Sequence, residues 1–176
     1  MRKIFLIFPN QLFKIKKQFT DVSHIALIQD SLFFGCDSQW QQKFHCQKII
    51  FHKATMDSYE EDLKSQGLNV IYLKHQRESR TEDNLNYLLE KSFNYFITYE
   101  AFDWSLEKRI KDFSLKNNIK LEIRKNDMFL TCPDISEEIL NQKKIYGMQK
   151  FYKIQRQNLN ILIEKDGSPT GGGWSF

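Results

Sequence analysis

The chain is poor in cysteine, glycine and proline, and these shortages limit what it can be. Its 176 residues include three cysteines, seven glycines and three prolines, against fifteen phenylalanines. Cys36, Cys46 and Cys132 are odd in number and form no CxxC pair, so we expect neither a disulfide framework nor an iron–sulfur site in this chain. A zinc site could be drawn from Cys36, His45, Cys46 and His52, but their spacing matches no familiar zinc pattern. We therefore predict no metal site.

Long apolar runs are also lacking. No stretch approaches the ~20 apolar residues that a membrane span requires, so no membrane partner is expected. The N-terminus is basic and then apolar, like a signal peptide, but the apolar run from Ile4 to Phe8 ends at Pro9 and no small-residue cleavage site follows. We interpret this run as a first β-strand and expect a cytoplasmic protein.

Acidic residues are absent from one basic stretch near the C-terminus. The net charge is +4, and acids and bases are well mixed up to residue 139. Residues 141–158 then contain no Asp or Glu, and carry Lys143, Lys144, Lys150, Lys153 and Arg156. This run is either the solvated face of a helix or a patch that faces nucleic acid or an acidic partner domain.

Short apolar runs alternate with amphipathic stretches along the rest of the chain. The predicted strands are 3–8, 25–29, 70–73, 95–99 and 121–124. The predicted helices are 41–66, one beginning at Thr81, 105–117, 137–141 and 145–163. This alternation predicts a doubly wound, Rossmann-like α/β fold with a five-stranded parallel sheet, strand order 3-2-1-4-5 and helices on both faces.

In such a fold, ligands bind at the carboxyl ends of the strands, where the strand order reverses. The predicted order puts this switch between strands one and four. The candidate loops are then 9–12 and 100–104, together with the start of the helix after strand two.

Two side-chain pairs near this edge suit a planar ligand. The amides of Asn10 and Gln11 can pair with the edge of a heterocycle, or they can close a turn. Phe33 and Phe34 can stack on a ring, or they can plug the end of the sheet.

The helix after strand two carries a stripe of residues at helical spacing. Its members are His45, Ile49, His52, Met56, Tyr59 and Leu63, and Lys48 flanks it. The spacing predicts that the stripe faces the core. Each histidine then either bonds a neighbouring carbonyl or, more readily for His45 at the ligand edge, contacts a ligand.

The sequence contains none of the common catalytic motifs of α/β folds. GxGxxG, GxxxxGK[ST], GxSxG and HExxH are all absent, and so are the signatures of nucleotidylyl transferases and ATP pyrophosphatases. A self-contained enzyme is therefore not supported, and we predict no catalytic residue.

Several segments, taken in order, resemble the N-terminal domain of the photolyase-related proteins, the bacterial iron–sulfur branch of the cryptochrome/photolyase superfamily. They are IFPNQLF (7–13), LFF (32–34), KFHCQKIIFHKATM (43–56), FL (129–130), KKIYGMQKFYKIQRQNLNIL (143–162) and DGSPTGGGWSF (166–176).

The resemblance implies a domain organisation and a set of cofactors. Residues 1–165 would be the α/β domain, and 166–176 would begin a linker to a helical domain that is not in this chain. That helical domain would hold FAD, a four-iron four-sulfur cluster and the DNA-lesion site, and the α/β domain would carry a ribityl-lumazine antenna. The implied antenna contacts are Asn10, Gln11, Leu12, Asp30, Phe33, Phe34, His45, Lys48 and Glu100.

The implied function is therefore antenna-chromophore binding within a flavoprotein that repairs pyrimidine photoproducts in DNA by light. The implied partners are the helical domain and, through the parent protein, DNA; no catalysis is expected from this chain alone. The alternatives are a stand-alone Rossmann-like interaction or nucleotide-binding module and, with less support, an α/β hydrolase or transferase.

Overall fold

A computed structural model describes residues 1–14, 19, 21–126, 128–131 and 148–174. The strands are β1 (Lys3–Ile7), β2 (His24–Ile28), β3 (Asn69–Leu73), β4 (Tyr95–Tyr99) and β5 (Lys120–Arg124). The helices are α1 (Ser31–Phe34), α2 (Cys46–Ser65), α3 (Thr81–Glu90), α4 (Trp104–Lys116) and α5 (Met148–Leu159). The chain divides into two compact units, Met1–Asn126 and Asp127–Phe176.

The first unit is built on one five-stranded sheet with the order β3-β2-β1-β4-β5. Every neighbouring pair is parallel, which confirms the predicted fold class and strand order. The chain winds from β1 outward to β3 and then returns to β4 on the other side of β1. The switch point therefore lies between β1 and β4, and the loops that follow these strands share one edge.

The sheet is covered on both faces, because alternate residues of its buried strands point to opposite sides. One face packs Ile4, Leu6, Ile28 and Phe96 against α3 and α4, which contribute Leu85, Leu88, Leu106, Ile110 and Phe113. The other face packs Phe5, Ile7, Leu27 and Ile97 against α2, which contributes Met56, Tyr59 and Leu63. This burial fixes the strand ends rigidly, so side chains in the adjoining loops have defined positions.

Helix α2 begins later than the sequence predicts. It starts at Cys46 rather than at Gln41, because the ring nitrogen Nδ1 of His45 accepts a hydrogen bond from the Gln47 amide (3.2 Å) as the N-cap. It ends at Ser65, one residue before the predicted end, and the amides of Gly67 and Leu68 donate hydrogen bonds to the oxygens of Lys64 (2.9 Å) and Leu63 (3.2 Å).

The predicted core-facing stripe on α2 is correct only in its second half. Met56, Tyr59 and Leu63 are buried, whereas Ile49 and His52 are half-buried and His45 is exposed. The prediction was wrong for His45 because that residue stands outside the helix as its cap, with its ring directed at the helix's own first turn.

The second unit contains α5 followed by a hairpin-like turn. Ile163 and Pro169 form an isolated antiparallel β-bridge. The Asp166 carboxylate accepts hydrogen bonds from the Ser168 amide (2.9 Å) and hydroxyl (2.6 Å). Gly167 adopts φ 83°, the left-handed conformation that the turn requires. The predicted helix 137–141, the start of helix 145–163 and Cys132 lie outside the described residues. None of the described helices is long and apolar enough to cross a bilayer.

We also expect from the sequence that the last helix docks its apolar side on the sheet layer or on the helical domain and turns its basic side outward; Lys150 and Lys153 do face outward, but the expectation is wrong for Arg156. Met148 and Tyr152 are exposed, whereas Arg156 is 6% exposed. The guanidinium of Arg156 donates to the main-chain oxygens of Ile161 (3.2 Å) and Leu162, and it lies over the Trp174 indole (5.5 Å to the ring centre). Arginine is buried here because it satisfies carbonyls beyond the helix C-terminus that would otherwise lack partners.

Candidate ligand site at the carboxyl edge

The loop between β2 and α2 folds back over the carboxyl edge of the sheet. Asp30 caps α1 by accepting a hydrogen bond from the Leu32 amide (3.1 Å), and Gly35 ends that short helix with φ 71°. A residue other than glycine at position 35 would collide with the main-chain oxygen of Gln42, because its Cβ would lie only 2.2 Å from that oxygen. Only glycine at position 35 therefore allows the later part of the loop, at Gln42, to approach α1. This approach brings Trp40 and Phe44 to the same edge as Phe33.

The loop after β4 supplies the opposite wall. Asp103 caps α4, accepting a hydrogen bond from the Leu106 amide (2.9 Å). This cap fixes Trp104 and Ser105 at the first turn of α4. The wall therefore stands at the carboxyl end of β4, beside the switch point.

A cleft of about 320 Å³ lies between these two walls. We call it the aromatic cleft; it is lined by Leu32, Phe33, Trp40, Gln42, Phe44, Lys48, Asp103 and Ser105. Its size is at the lower end of the range for small-molecule sites. It combines aromatic faces with a few polar groups, and the Lys48 ammonium lies 3.5 Å from the centre of the Phe44 ring. This arrangement suits a planar ring with polar edge atoms.

A second cleft of about 320 Å³ shares the Trp40 and Ser105 side chains with the first. We call it the tryptophan cleft; its other lining residues are Gln39, Arg80, Glu82, Trp104, Lys108, Arg109 and Asp112. Trp40 and Trp104 are 50% and 76% exposed, which is unusual for so large an apolar side chain. The two clefts are thus neighbours on one surface.

A buried ion pair adjoins the tryptophan cleft through Arg109, which lines it. Arg109 donates to both oxygens of Asp37, at 2.6 and 3.0 Å, and Asp37 is fully buried. Burial would raise the pKa of Asp37, but hydrogen bonds from Arg109 and from the Gln39 and Trp40 amides hold that pKa below its usual value. The pair therefore stays charged, and the hydrogen bonds that Asp37 accepts from the two main-chain amides fix the position of Trp40.

Asp30 is fully buried beside this pair. Burial raises its pKa from 3.8 to about 6, against the opposing effect of the hydrogen bond from the Leu32 amide. Asp30 therefore changes its charge closer to neutral pH than an ordinary aspartate does.

Two histidines lie behind the aromatic residues of α1. The Phe34 ring stacks on His75 at 4.2 Å between ring centres, and both Phe33 and Phe34 contact His52 at about 6 Å. Burial lowers the pKa of both histidines, so their rings are neutral at pH 7. They support the aromatic residues rather than add charge to the cleft.

The predicted site residues fall into separate groups. Phe33 and Lys48 line the aromatic cleft, and Asp30 and Phe34 lie in the segment behind it. His45 is the exposed cap of α2.

Asn10, Gln11, Leu12 and Glu100 form another group, which joins the loops after β1 and β4. The side-chain oxygen of Gln11 accepts a hydrogen bond from the main-chain amide of Phe8 (3.2 Å). Its side-chain nitrogen donates to the main-chain oxygens of Tyr99 (3.0 Å) and Glu100 (3.4 Å). Asn10 donates to the Ala101 oxygen (2.9 Å), while its buried Oδ1 has no hydrogen-bond partner among the described residues. Leu12 packs against the core. Asn10 Oδ1 is thus the acceptor in this group that a ligand could use.

Sequence reasoning missed Trp40, Gln42, Phe44 and Ser105 as lining residues. A signal was present for the tryptophan, because Trp40 and Trp104 each follow a predicted strand at the ligand edge. The sequence pattern places Gln42 and Phe44 in the first turn of a helix, whereas the structure has them in the loop before it. Among the described residues, no group of three or more His, Cys, Asp or Glu side chains could hold a metal ion.

Comparison with known proteins supports the resemblance seen in the sequence. Residues 5–176 match the family described as Deoxyribodipyrimidine photo-lyase-related protein. The chain is 31% identical to Uncharacterized protein R852 of Acanthamoeba polyphaga mimivirus over 183 residues, which cover 100% of this chain and 92% of that protein.

A more distant similarity connects the chain to a named enzyme. It is 23% identical over 136 residues to the (6-4) photolyase of Agrobacterium fabrum (strain C58 / ATCC 33970). The aligned part is 75% of this chain but 27% of that enzyme, so the enzyme is much longer than the region it shares. The match over residues 5–176 shows that the chain belongs to the Deoxyribodipyrimidine photo-lyase-related protein family.

Proposed function

We propose that this chain is an antenna-type chromophore-binding domain and that the aromatic cleft is its ligand site. The observation that carries the proposal is the position of that cleft: it lies at the carboxyl edge of the sheet beside the switch point, with Phe33, Trp40 and Phe44 around it. The ligand we propose is a ribityl-lumazine, a planar heterocycle with a polyhydroxyl chain.

The residues present fit such a group. Aromatic side chains offer stacking surfaces for the heterocycle. Lys48 and Gln42 can donate hydrogen bonds to ring carbonyl oxygens, and Asp103 and Ser105 can bond the hydroxyls of the ribityl chain. The orphaned Asn10 Oδ1 is a further acceptor at the same edge of the sheet.

The role of the protein residues is binding and orientation. When bound, a lumazine would absorb light and pass the excitation to a flavin. The buried Asp37–Arg109 pair fixes the Trp40 loop, and the Asp103 cap fixes the opposite wall, so the cleft keeps its shape without a ligand. Such preorganisation lowers the entropy cost of binding.

The wider role of the protein follows the named relative and is part of the proposal. We propose that full-length relatives join this domain to a helical domain that carries FAD and an iron–sulfur cluster and that repairs DNA photoproducts. We expect no repair activity from residues 1–176 alone, because the electron donor would lie in that other domain.

The test is a titration of the purified chain with a ribityl-lumazine, followed by Trp fluorescence and by the absorption band of the ligand. We expect binding with quenching of Trp40. Phe33→Ala and Lys48→Gln should each weaken the affinity about 10-fold, since each removes a stacking or polar contact of about 1–1.5 kcal/mol.

Lys53→Gln is the matched control, because it removes the same charge from the same helix but its ammonium pairs with Asp57 (2.7 Å). It should leave the affinity unchanged. Absence of lumazine binding, or equal losses in Lys48→Gln and Lys53→Gln, would contradict the proposal. Binding of ADP at this site in place of lumazine would favour the nucleotide-binding alternative.

A further inference from the structure

Cations from distant parts of the sequence meet at the amino edge of the sheet, the edge opposite the clefts. Arg2 directly precedes β1 and Lys3 begins it, Lys91 caps the end of α3, and Lys120 begins β5. Asn94 connects these segments: its side-chain oxygen accepts from the Arg2 amide (2.9 Å), and its main-chain oxygen accepts from the Lys120 amide (3.2 Å). We call Arg2, Lys3, Lys91 and Lys120 the amino-edge patch.

Aromatic rings hold these cations in place. Lys3 and Lys120 are in register with Tyr95 on the two strands that flank β4, and their ammonium groups lie 5.2 and 4.4 Å from the centre of its ring. The Arg2 guanidinium lies 4.2 Å from the centre of the Phe93 ring. Cation–π contacts of this kind position a charge without neutralising it.

Few carboxylates oppose the patch. Asp21 lies 2.6 Å from Arg124 and 4.0 Å from Lys3, and Glu122 binds Arg124 at 2.7 Å. Asp21 is therefore directed mainly to Arg124, and Glu122 is shared between Arg124 and the Tyr95 hydroxyl. In the described part of the chain, Arg2, Lys91 and Lys120 form no salt bridge with a carboxylate, so an uncompensated positive field remains at this edge.

The fold itself explains two of the four cations, Arg2 and Lys91, because both lie at the C-terminus of α3. Arg2 Nη1 donates to the Lys91 oxygen (2.9 Å), and thereby caps the C-terminus of α3. Lys3 and Lys120 have no comparable duty to a helix end. Lys3 and Lys120 flank Tyr95 on β1 and β5, so their backbones are two strand spacings apart, or ~10 Å. The two strands therefore place two positive charges at a defined separation.

We propose that the amino-edge patch binds the phosphate backbone of nucleic acid without sequence preference. An open depression lined by Met1, Arg2, Lys3, Asp21, Val22 and Ser23 adjoins the patch. Arg2 and Lys3 belong to both the depression and the patch, and they supply the positive charge that attracts a phosphate backbone. This interaction is separate from chromophore binding, since it uses the opposite edge of the sheet.

The test compares two triple variants that remove the same charge. Lys3→Gln/Lys91→Gln/Lys120→Gln neutralises the patch but keeps Arg2, which the fold needs. Lys53→Gln/Lys64→Gln/Lys108→Gln is the control, because each of its lysines is ion-paired four residues away with Asp57, Glu60 or Asp112. Binding of a labelled DNA duplex is measured by fluorescence anisotropy at several salt concentrations, and folding is checked by circular dichroism.

We expect the patch variant to bind duplex DNA at least 10-fold more weakly at low salt. The slope of log K against log salt should fall by roughly one for each phosphate group that the variant no longer neutralises, and equally on damaged and undamaged DNA. The control should keep the wild-type slope, and Lys3→Arg/Lys91→Arg/Lys120→Arg should retain binding.

Three results would overturn the proposal. The wild-type chain does not bind the duplex, the two triple variants weaken binding equally, or vesicles of phosphatidylserine and phosphatidylcholine bind to the patch while the duplex does not. Because none of these measurements involves a chromophore, failure here leaves the proposed lumazine site untouched.

Discussion

The two edges of the sheet in residues 1–126 handle charge in opposite ways. At the carboxyl edge, Arg109 is paired with a buried aspartate, and two exposed tryptophans, Trp40 and Trp104, line the clefts. At the amino edge, Lys3 and Lys120 lie on the Tyr95 ring; the Asp21 carboxylate is 4.0 Å from Lys3, and Lys120 forms no salt bridge with the described residues. The same residue types, cations and aromatic rings, therefore build a fixed cleft where the charges are paired and an open binding surface where most of them are not.

The largest expected effect comes from breaking the buried Arg109–Asp37 ion pair at the carboxyl edge. Arg109→Met leaves the Asp37 carboxylate buried without its partner, so we expect a loss of about 3–5 kcal/mol in the free energy of unfolding. Urea denaturation followed by circular dichroism measures it.

Lys108→Met is the control for that loss, since it removes the neighbouring cation of an exposed pair with Asp112 and should cost less than about 1 kcal/mol. Similar costs for the two variants would show that the buried pair does not anchor the edge.

The second prediction concerns the pH dependence of stability. Because the pKa of Asp30 in the folded chain, about 6, exceeds its usual value of 3.8, the folded state binds its proton more tightly than the unfolded state. This contribution to stability is fully present below about pH 4 and is lost as the pH rises through about 6.

Asp30→Asn keeps an N-cap acceptor but does not ionise. At pH 7 the variant should therefore be more stable than wild type, by up to about 3 kcal/mol, and the difference should vanish near pH 4. Urea denaturation across that pH range measures it. A difference that stays constant with pH would contradict a raised pKa in the folded chain.

Much of the fold follows from the sequence, because buried parallel strands have a local signature. The segment YFITY predicts β4 with its observed bounds, and its five residues are all buried. Gly67 marks the end of α2 because the left-handed turn there needs glycine. These features depend on neighbours in the chain.

The candidate site depends on contacts between distant residues and was predicted only in part. Phe33 and Lys48 were expected near a ligand and do line the aromatic cleft, but their approach to Trp40 depends on the tight contact between Gly35 and Gln42. The Gln11 side chain forms hydrogen bonds with the main-chain groups of Phe8, Tyr99 and Glu100. Two of these partners are distant in sequence, so no local pattern reveals the contacts. The predicted contact of Gln11 with an antenna stays a prediction.

The basic residues show the same limit of local patterns. The run at 141–158 is conspicuous because its cations are close in sequence, whereas Arg2, Lys91 and Lys120 meet only after folding. In the described part of that run, Arg156 is buried, whereas Lys150 and Lys153 are exposed. Closeness in sequence therefore does not place every cation of a run on the surface.

The smallest expected effect sharpens the comparison by testing that run directly. Lys150→Gln/Lys153→Gln should leave the affinity for duplex DNA and its salt dependence unchanged, because two cations on an exposed helix make a weak field. Arg156 is kept, since its loss would strand the oxygens of Ile161 and Leu162 and confuse unfolding with binding. The anisotropy titration used for the amino-edge patch gives the readout. If this pair lowers the affinity and the salt slope while the neutralisation of Lys3, Lys91 and Lys120 does not, then α5 carries the nucleic-acid contact and the amino edge does not.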